Sequence, residues 1–446
     1  MPDMILDKTT GRRGIQLQDR GKKIIPGLTQ LLSKRPDQFS SGLWPGYYSR
    51  ARGARVWDLD GNEYLDMSIS GIGANVLGYA DQDVDNAVRE AIDNGVSCSL
   101  NCPEEVELAE LLIDLHPWAD MVRYSRTGGE AMAMAVRLAR AATGRDKIAF
   151  CGYHGWHDWY LAANLGTENA LGEHLLPGLE PAGVPRGLSG TALPFRYNHL
   201  EDLEKIISEQ GSELAAVVTE PVRSEWPAEG FLARAADIAR KAGAAFIIDE
   251  VSAGFRLNTG GSHLVLGVEP DVAVFSKALG NGYAIAAVVG QAAIMEASQR
   301  SFISSTNWTE RIGPTAALAT VKKHRQMDVA RHLVEVGRMV QAGWKCAAEE
   351  HGLPIHVSGI EPLSHFVFEC DEWLSMKALF VQEMMQRGIL ASNLCYAMYA
   401  HTPQDVERYL KAVDEVFAVV GDAWRLGDTE SRLIGKPAVA GFKRLA

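Results

Sequence analysis

The chain has 446 residues, with 44 Lys plus Arg against 56 Asp plus Glu and a formal net charge of -12. At about 150 residues per domain, that length suggests roughly three domains, or two if one is large. The composition, 47% hydrophobic and 22% charged, excludes disorder, collagen-like repeats and polybasic arms. The acidic balance argues against nucleic acid or an anionic membrane as a general partner.

Six cysteines at 98, 102, 151, 346, 370 and 395 are sparse and irregularly spaced, which reads as reduced thiols in a cytoplasmic protein. The segment from Met1 to Arg13 has no apolar core followed by a small-residue cleavage site, so no signal peptide is expected there. The most apolar stretch, Tyr283 to Met295, is broken by Gly290 and Gln291 and is too short to span a bilayer.

In chain order, the first fifty residues read as an arm punctuated by Pro26-Gly27, Pro36 and Trp44-Pro45-Gly46. Arg55 to Leu59 and Asn62 to Asp66 then flank Asp60-Gly61, a strong hairpin signal. Val84 to Asn94 and Pro103 to Leu115 carry apolar faces of helical period. Met121 to Tyr124 reads as a strand and Glu130 to Ala142 as a helix. Further strands are expected at Lys147 to Cys151, Leu214 to Thr219, Ala245 to Ile248, Val272 to Phe275 and Ile285 to Val289. From 214 onward these are almost wholly apolar, as strands covered on both faces must be. With helices such as Phe231 to Ala242 between them, they predict an α/β domain around a mainly parallel sheet. After about residue 325 the texture changes to α+β, with long helices from Val329 to Glu350 and from Pro403 toward Trp424.

Four features could carry chemistry. Arg126-Thr127-Gly128-Gly129-Glu130 joins a strand to a helix, a junction whose free N–H groups and positive dipole end suit a phosphate. Alone it is weak, because a Gly-Gly turn often only closes a βα unit. The run Cys151-Gly152-Tyr153-His154-Gly155-Trp156-His157 could suggest zinc, but no matching second pair follows. It reads better as a platform for a flat heteroaromatic ring, through Tyr153 or a histidine. Asp249-Glu250 ends an apolar strand, where ligands of parallel sheets bind, although a loop cap is the commoner role of any one Asp. Lys277, just past the next strand, would by itself be ordinary solvated surface. Together they form a phosphate cradle, a ring platform, a strand-end acid and an imine-forming amine, all of which pyridoxal phosphate (PLP) can use.

Tyr124 to Glu130, Gly152 to His154, Thr219-Glu220-Pro221-Val222, Asp249-Glu250-Val251 and Ser276-Lys277 resemble the class III aminotransferases. The likeness runs from about Pro26 to about Tyr409, and the branch it is most similar to is glutamate-1-semialdehyde aminomutase. The resemblance implies an α/β fold type I PLP-transferase. Its large PLP-binding domain would span 67–325, with a smaller domain from an N-terminal arm and hairpin at 1–66 and an α+β segment at 326–446. It implies that Lys277 forms the Schiff base and moves the proton, and that Asp249 pairs with the pyridine nitrogen. Val251 and Tyr153 would cover the two ring faces, Thr127, Gly128 and Gly129 would hold the phosphate, and Glu220 would stand on the substrate side. Thr306 would reach the phosphate of a neighbouring subunit, which implies a homodimer.

Two departures matter. The family usually has Ser-Gly-Thr at the phosphate loop, whereas Thr127-Gly128-Gly129 lacks one hydroxyl, so Thr127 is expected to supply the other. In the N-terminal substrate segment Leu31 stands where the aminomutase has a serine, and Lys34 or Arg35 only approximates its arginine. The expected activity is transfer of an amino group between a small-molecule amine donor and an oxo acceptor. An intramolecular aminomutase, a racemase or epimerase on the same site, and a non-catalytic binding protein are the alternatives. Trp44, Tyr47, Tyr48, Asn75 and Arg223 could line the substrate pocket, a set that hints at an oxygen-rich oxo compound.

Overall fold

The structure is a computed structural model describing residues 12–175, 177–222 and 224–441. Arg223 lies outside the described residues. The chain divides into two compact units, one covering 82–331 and the other formed by the residues on either side of it.

The 82–331 unit is built on a seven-stranded sheet. In chain order its strands are β1 (Met121–Ser125), β2 (Lys147–Cys151), β3 (Ala192–Pro194), β4 (Leu214–Thr219), β5 (Ala245–Asp249), β6 (Val272–Phe275) and β7 (Ala286–Gly290). They lie in the order β1-β7-β6-β5-β4-β2-β3. From β6 to β3 all neighbours are parallel, while β7 runs antiparallel to both β1 and β6. Every residue of β4, β5, β6 and β7 is buried, because helices cover both faces. Ile247 of β5 joins a cluster with Ala135 and Leu138 of the helix Gly128–Thr143. Its neighbours Phe246 and Ile248 point the other way, into a cluster with Phe231 and Ala235 of the helix Phe231–Lys241. The period of two along the strand thus builds two cores from one sheet. This is the predicted α/β class with a mainly parallel sheet.

The other unit holds a four-stranded sheet, in the order Tyr48–Arg52, Arg55–Asp58, Glu63–Met67 and Ile389–Ala391. The predicted hairpin is there, with Val56 opposite Tyr64 across an antiparallel register. A three-stranded sheet of Ile355–Ser358, Leu363–Phe368 and Leu394–Tyr396 accompanies it. Trp344, Phe366, Phe380 and Phe417 pack edge to face or tilted around one another at ring-centroid distances of 4.9 to 5.7 Å.

The arm was not wholly irregular: Arg12–Ile24 is a helix of 13 residues. Its buried positions are Gly14, Gln18 and Gly21, with no leucine or valine among them. Gly14 lies against the Pro45 carbonyl so closely that a Cβ would not fit. Gln18 donates to the carbonyls of Trp44 (3.0 Å) and Pro45 (3.3 Å). A helix that docks through glycines and an amide leaves no apolar stripe for a periodicity reading to find.

Candidate active site

Five strands of the large sheet, β1, β2, β4, β5 and β6, point the same way, so their carboxyl ends share one edge. Thr127 follows β1, Tyr153 and His154 follow β2, Glu220 follows β4, Asp249 ends β5 and Lys277 follows β6. Residues far apart in sequence therefore come together because the parallel connections always return the chain to the same side.

Asp249 is 4% exposed. Its Oδ1 accepts the Val251 N–H at 3.0 Å, and its Oδ2 lies 2.7 Å from His154 Nδ1. His154, 1% exposed, turns its other nitrogen toward the Cys151 carbonyl at 3.1 Å. The ring is thus held between the Asp249 carboxylate on one side and a backbone carbonyl on the other.

Lys277 has φ +47°, in the left-handed region that costs a non-glycine residue on the order of 1 kcal/mol or more. It opens the short 3-10 helix Lys277–Gly280 directly after β6, which turns the side chain back over the strand ends. Its Nζ donates to Ser252 Oγ at 2.6 Å. Burial pushes the amine below its ordinary range; the charges of Asp249 and Glu220 oppose that shift, and Arg256 adds to it. An amine that is easily neutral is what nucleophilic attack on a carbonyl and proton transfer both need.

Glu220 Oε2 accepts the Tyr153 N–H at 3.2 Å and sits 2.5 Å from where a Cβ on Gly152 would stand. Gly152 has φ +121°, so this tight turn after β2 needs glycine on both counts. It delivers the Tyr153 ring, which is 44% exposed, above the strand ends.

The helix Gly128–Thr143 starts beside this cluster, with Thr127 as N-cap and Glu130 completing a capping box. Gly128 and Gly129 occupy its first turn, where N–H groups lack intrahelical partners. A Cβ on Gly128 would stand 2.8 Å from Val251 Cγ1, and one on Gly129 would stand 3.0 Å from His157 Cε1. The backbone is thus laid bare between Val251 and His157. The Thr127 hydroxyl accepts from the Glu130 N–H at 3.3 Å and donates to Glu130 Oε2 at 3.1 Å. Its only proton is committed to the cap, so in this geometry it has none for a phosphate.

An amine, an acid–imidazole pair and a bare helix N-terminus at one sheet edge narrow the chemistry, and comparison with known proteins decides the family. The sequence profile of the class-III aminotransferases matches residues 41–407. This chain belongs to the class-III aminotransferases. It is 30% identical over 424 residues to the 3-aminobutyryl-CoA aminotransferase of Cloacimonas acidaminovorans, covering 92% of this chain and 97% of that one. It is 32% identical over 426 residues to the glutamate-1-semialdehyde 2,1-aminomutase of Desulforamulus reducens, covering 90% and 96%. The FumI protein of Sphingopyxis sp. MTA144, solved in its PLP internal aldimine form, matches at 25% identity and a TM-score of 0.84, covering 96% and 99%.

As a class-III aminotransferase it is a PLP-dependent enzyme that takes an amine donor and an oxo acceptor. The residues at the sheet edge fit that group: a lysine amine for an aldehyde, a buried carboxylate for a ring nitrogen, and a side-chain-free cradle for a phosphate. Of the residues named from the sequence, Lys277, Asp249, Tyr153, Glu220, Val251, Thr127, Gly128 and Gly129 all fall on or beside this edge. Thr306 instead begins the short helix Thr306–Thr309 and is exposed. The zinc spacing does not converge, since His154 faces Asp249 while His157 faces Gly129. Arg35 is 6% exposed and gives both Nε and Nη2 to Asp37, at 3.1 and 2.5 Å, so its charge is already answered.

Three contacts were not expected from the sequence: His154 with Asp249, Ser252 with Lys277, and His157 beside Gly129. His154 could have been found, because a histidine three residues past β2 lies at the level of an acid ending a strand of the same sheet. Nothing in the sequence marked Ser252, and His157 stood out only within the run considered for zinc or a ring platform.

No helix among the described residues is long and apolar enough to cross a membrane.

Proposed function

We propose that Lys277 is the residue that binds PLP covalently and carries protons during amino-group transfer between an amine donor and a small oxo substrate. When bound, PLP supplies an aldehyde carbon for imine exchange and an electron-poor ring that accepts charge from the carbon losing its proton. Asp249, set against His154, would hold the ring nitrogen protonated. Val251 and Tyr153 cover the two ring faces, and Glu220 fixes the Tyr153 loop on the substrate side. Gly128 and Gly129 turn their N–H groups toward the phosphate. Lys277, as a neutral amine, would take a proton from the substrate carbon and return it to the neighbouring position, and Ser252 Oγ would keep that amine directed toward the site.

The observation that carries this reading is Lys277 Nζ set in a pocket where burial lowers its proton affinity and both Asp249 and Glu220 bear on it. In the test, Lys277→Ala is purified with added PLP. Loss of both the visible imine absorbance and turnover supports the assignment; retention of both refutes it.

The relative named as a glutamate-1-semialdehyde 2,1-aminomutase supports a second reading, in which donor and acceptor are one molecule. A requirement for two separate substrates decides between them. We further infer a cytoplasmic homodimer in which Thr306, exposed at a helix start, reaches the cofactor of the other subunit. An active monomer in solution would refute that arrangement.

A further inference from the structure

His157 belongs to none of the roles above, yet it lies against the cradle. A Cβ on Gly129 would stand 3.0 Å from its Cε1 and 3.1 Å from its Nδ1. The imidazole therefore occupies the space into which a side chain at position 129 would project. Gly155, with φ +101°, folds the loop so tightly that its own Cβ would stand 3.1 Å from Gly129 Cα. Trp156 stacks on the outer face of the ring at 4.6 Å between centroids. His157 Nδ1 is enclosed and has no hydrogen-bond partner among the described residues. A buried polar atom without a partner costs on the order of 1–3 kcal/mol, and such an atom at a ligand site points to a group that satisfies it.

The cradle needs such a donor. Gly128 and Gly129 have no side chains, and the Thr127 proton is directed to Glu130. The Glu130 carboxylate also accepts the N–H groups of Arg126 and Thr127, at 3.1 and 2.9 Å, which places a negative charge beside the helix start. A phosphate bound there meets repulsion that two backbone N–H groups offset only in part.

We propose that His157 is a phosphate-binding residue, its ring N–H taking the place of a side-chain donor at position 129. This rests on the PLP reading above and adds a ligand to it. Burial lowers the proton affinity of the imidazole, while Glu130 on the helix Gly128–Thr143 and Asp158 next in the chain act the other way. A neutral ring with its proton on the unpartnered Nδ1 supplies that donor.

The test titrates the apoprotein with PLP and, separately, with pyridoxal, which lacks the phosphate, following imine absorbance; 31P NMR reports on bound PLP. His157→Ala is expected to weaken PLP binding by roughly ten- to a hundred-fold, the range for a charge-assisted hydrogen bond, and to shift the 31P resonance. Pyridoxal binding should change less than about two-fold, since the group it lacks is the one His157 holds. Gly129→Thr alone should lose PLP affinity by collision with the imidazole, and adding His157→Ala should restore most of it by supplying a hydroxyl in the vacated space. If His157→Ala does not fold, His157→Asn is compared with His157→Leu. Asn keeps a donor at an N-cap position that suits it and should retain the greater PLP affinity. Equal losses for PLP and pyridoxal would make His157 a packing residue, and no loss for either would remove it from the site; each overturns the proposal. A wild-type protein that forms an imine with neither compound would instead overturn the PLP reading itself.

Discussion

Asp249 and Glu250 are chain neighbours at the end of one buried strand, and each meets a different imidazole. Asp249 faces His154, whose other nitrogen points at the Cys151 carbonyl. Glu250, fully buried, faces His263 on the other side of the strand. His263 Nε2 accepts the Trp118 indole N–H at 3.0 Å, so only its Nδ1 carries a proton, and the ring is neutral. Glu250 Oε1 takes that proton's bond at 2.7 Å and the His263 backbone N–H at 2.8 Å. One acid stands at the edge where we propose the cofactor binds. The other pins the loop after the strand from below. The alternation of a strand separates the carboxylate proposed to face the cofactor from a structural one by a single residue.

The largest effect expected in breaking this contrast lies outside the pair. Lys277→Ala should lower turnover by about 10^4-fold or more, since both the covalent link and the proton carrier go; steady-state assays with a chromogenic amine donor would read it. Next comes Asp249→Asn, expected to cost about 10^2- to 10^3-fold in turnover, as for loss of one electrostatic stabiliser, with the thermal midpoint nearly unchanged. His154→Ala should give the same signature more weakly, about ten-fold, because it removes the group that holds the acid rather than the acid itself. Glu250→Ala should reverse the pattern. It leaves two His263 N–H groups without an acceptor and should cost about 2 to 4 kcal/mol of unfolding free energy in a urea titration, while turnover per folded enzyme stays close to that of the wild type.

The smallest effect on function is a pH dependence of stability. Burial pushes His116 and His324 down to about 4 from an ordinary value of 6.5. Both are neutral in the folded chain: His116 donates to the Leu112 carbonyl and accepts from the Gly261 N–H, while His324 donates to Phe255 and accepts from the Thr259 hydroxyl. Between pH 4 and 6.5 the unfolded chain binds more protons at these rings than the folded chain does. Stability therefore falls as the pH drops through that window, by on the order of 3 kcal/mol per imidazole, and is fully present above it. Denaturation midpoints measured from pH 7 down to pH 4.5 would test the sign. A rise in stability on acidification would contradict it.

The fold of the large unit was legible because its strands are short apolar runs with helices between them, a pattern that parallel sheets impose. The ends of those strands then gave Lys277 and Asp249. Their partners were not legible. His154 meets Asp249 across β4, which lies between their two strands, a relation fixed by strand order and not by spacing in the chain. Ser252 and His157 are placed by turns whose course depends on packing against Lys277 and Gly129. The helix Arg12–Ile24 escaped for a different reason: its docking face consists of glycines and an amide, so the hydrophobic pattern was silent.

We propose that Lys277 carries the cofactor with Asp249 beneath its ring. Borohydride reduction of the holoprotein, followed by proteolysis and mass mapping, tests it most directly. The expected result is a single pyridoxyl group, on the peptide that contains Lys277, lost in Lys277→Ala and retained in Asp249→Asn. A pyridoxyl group on another lysine, or none at all, would contradict it.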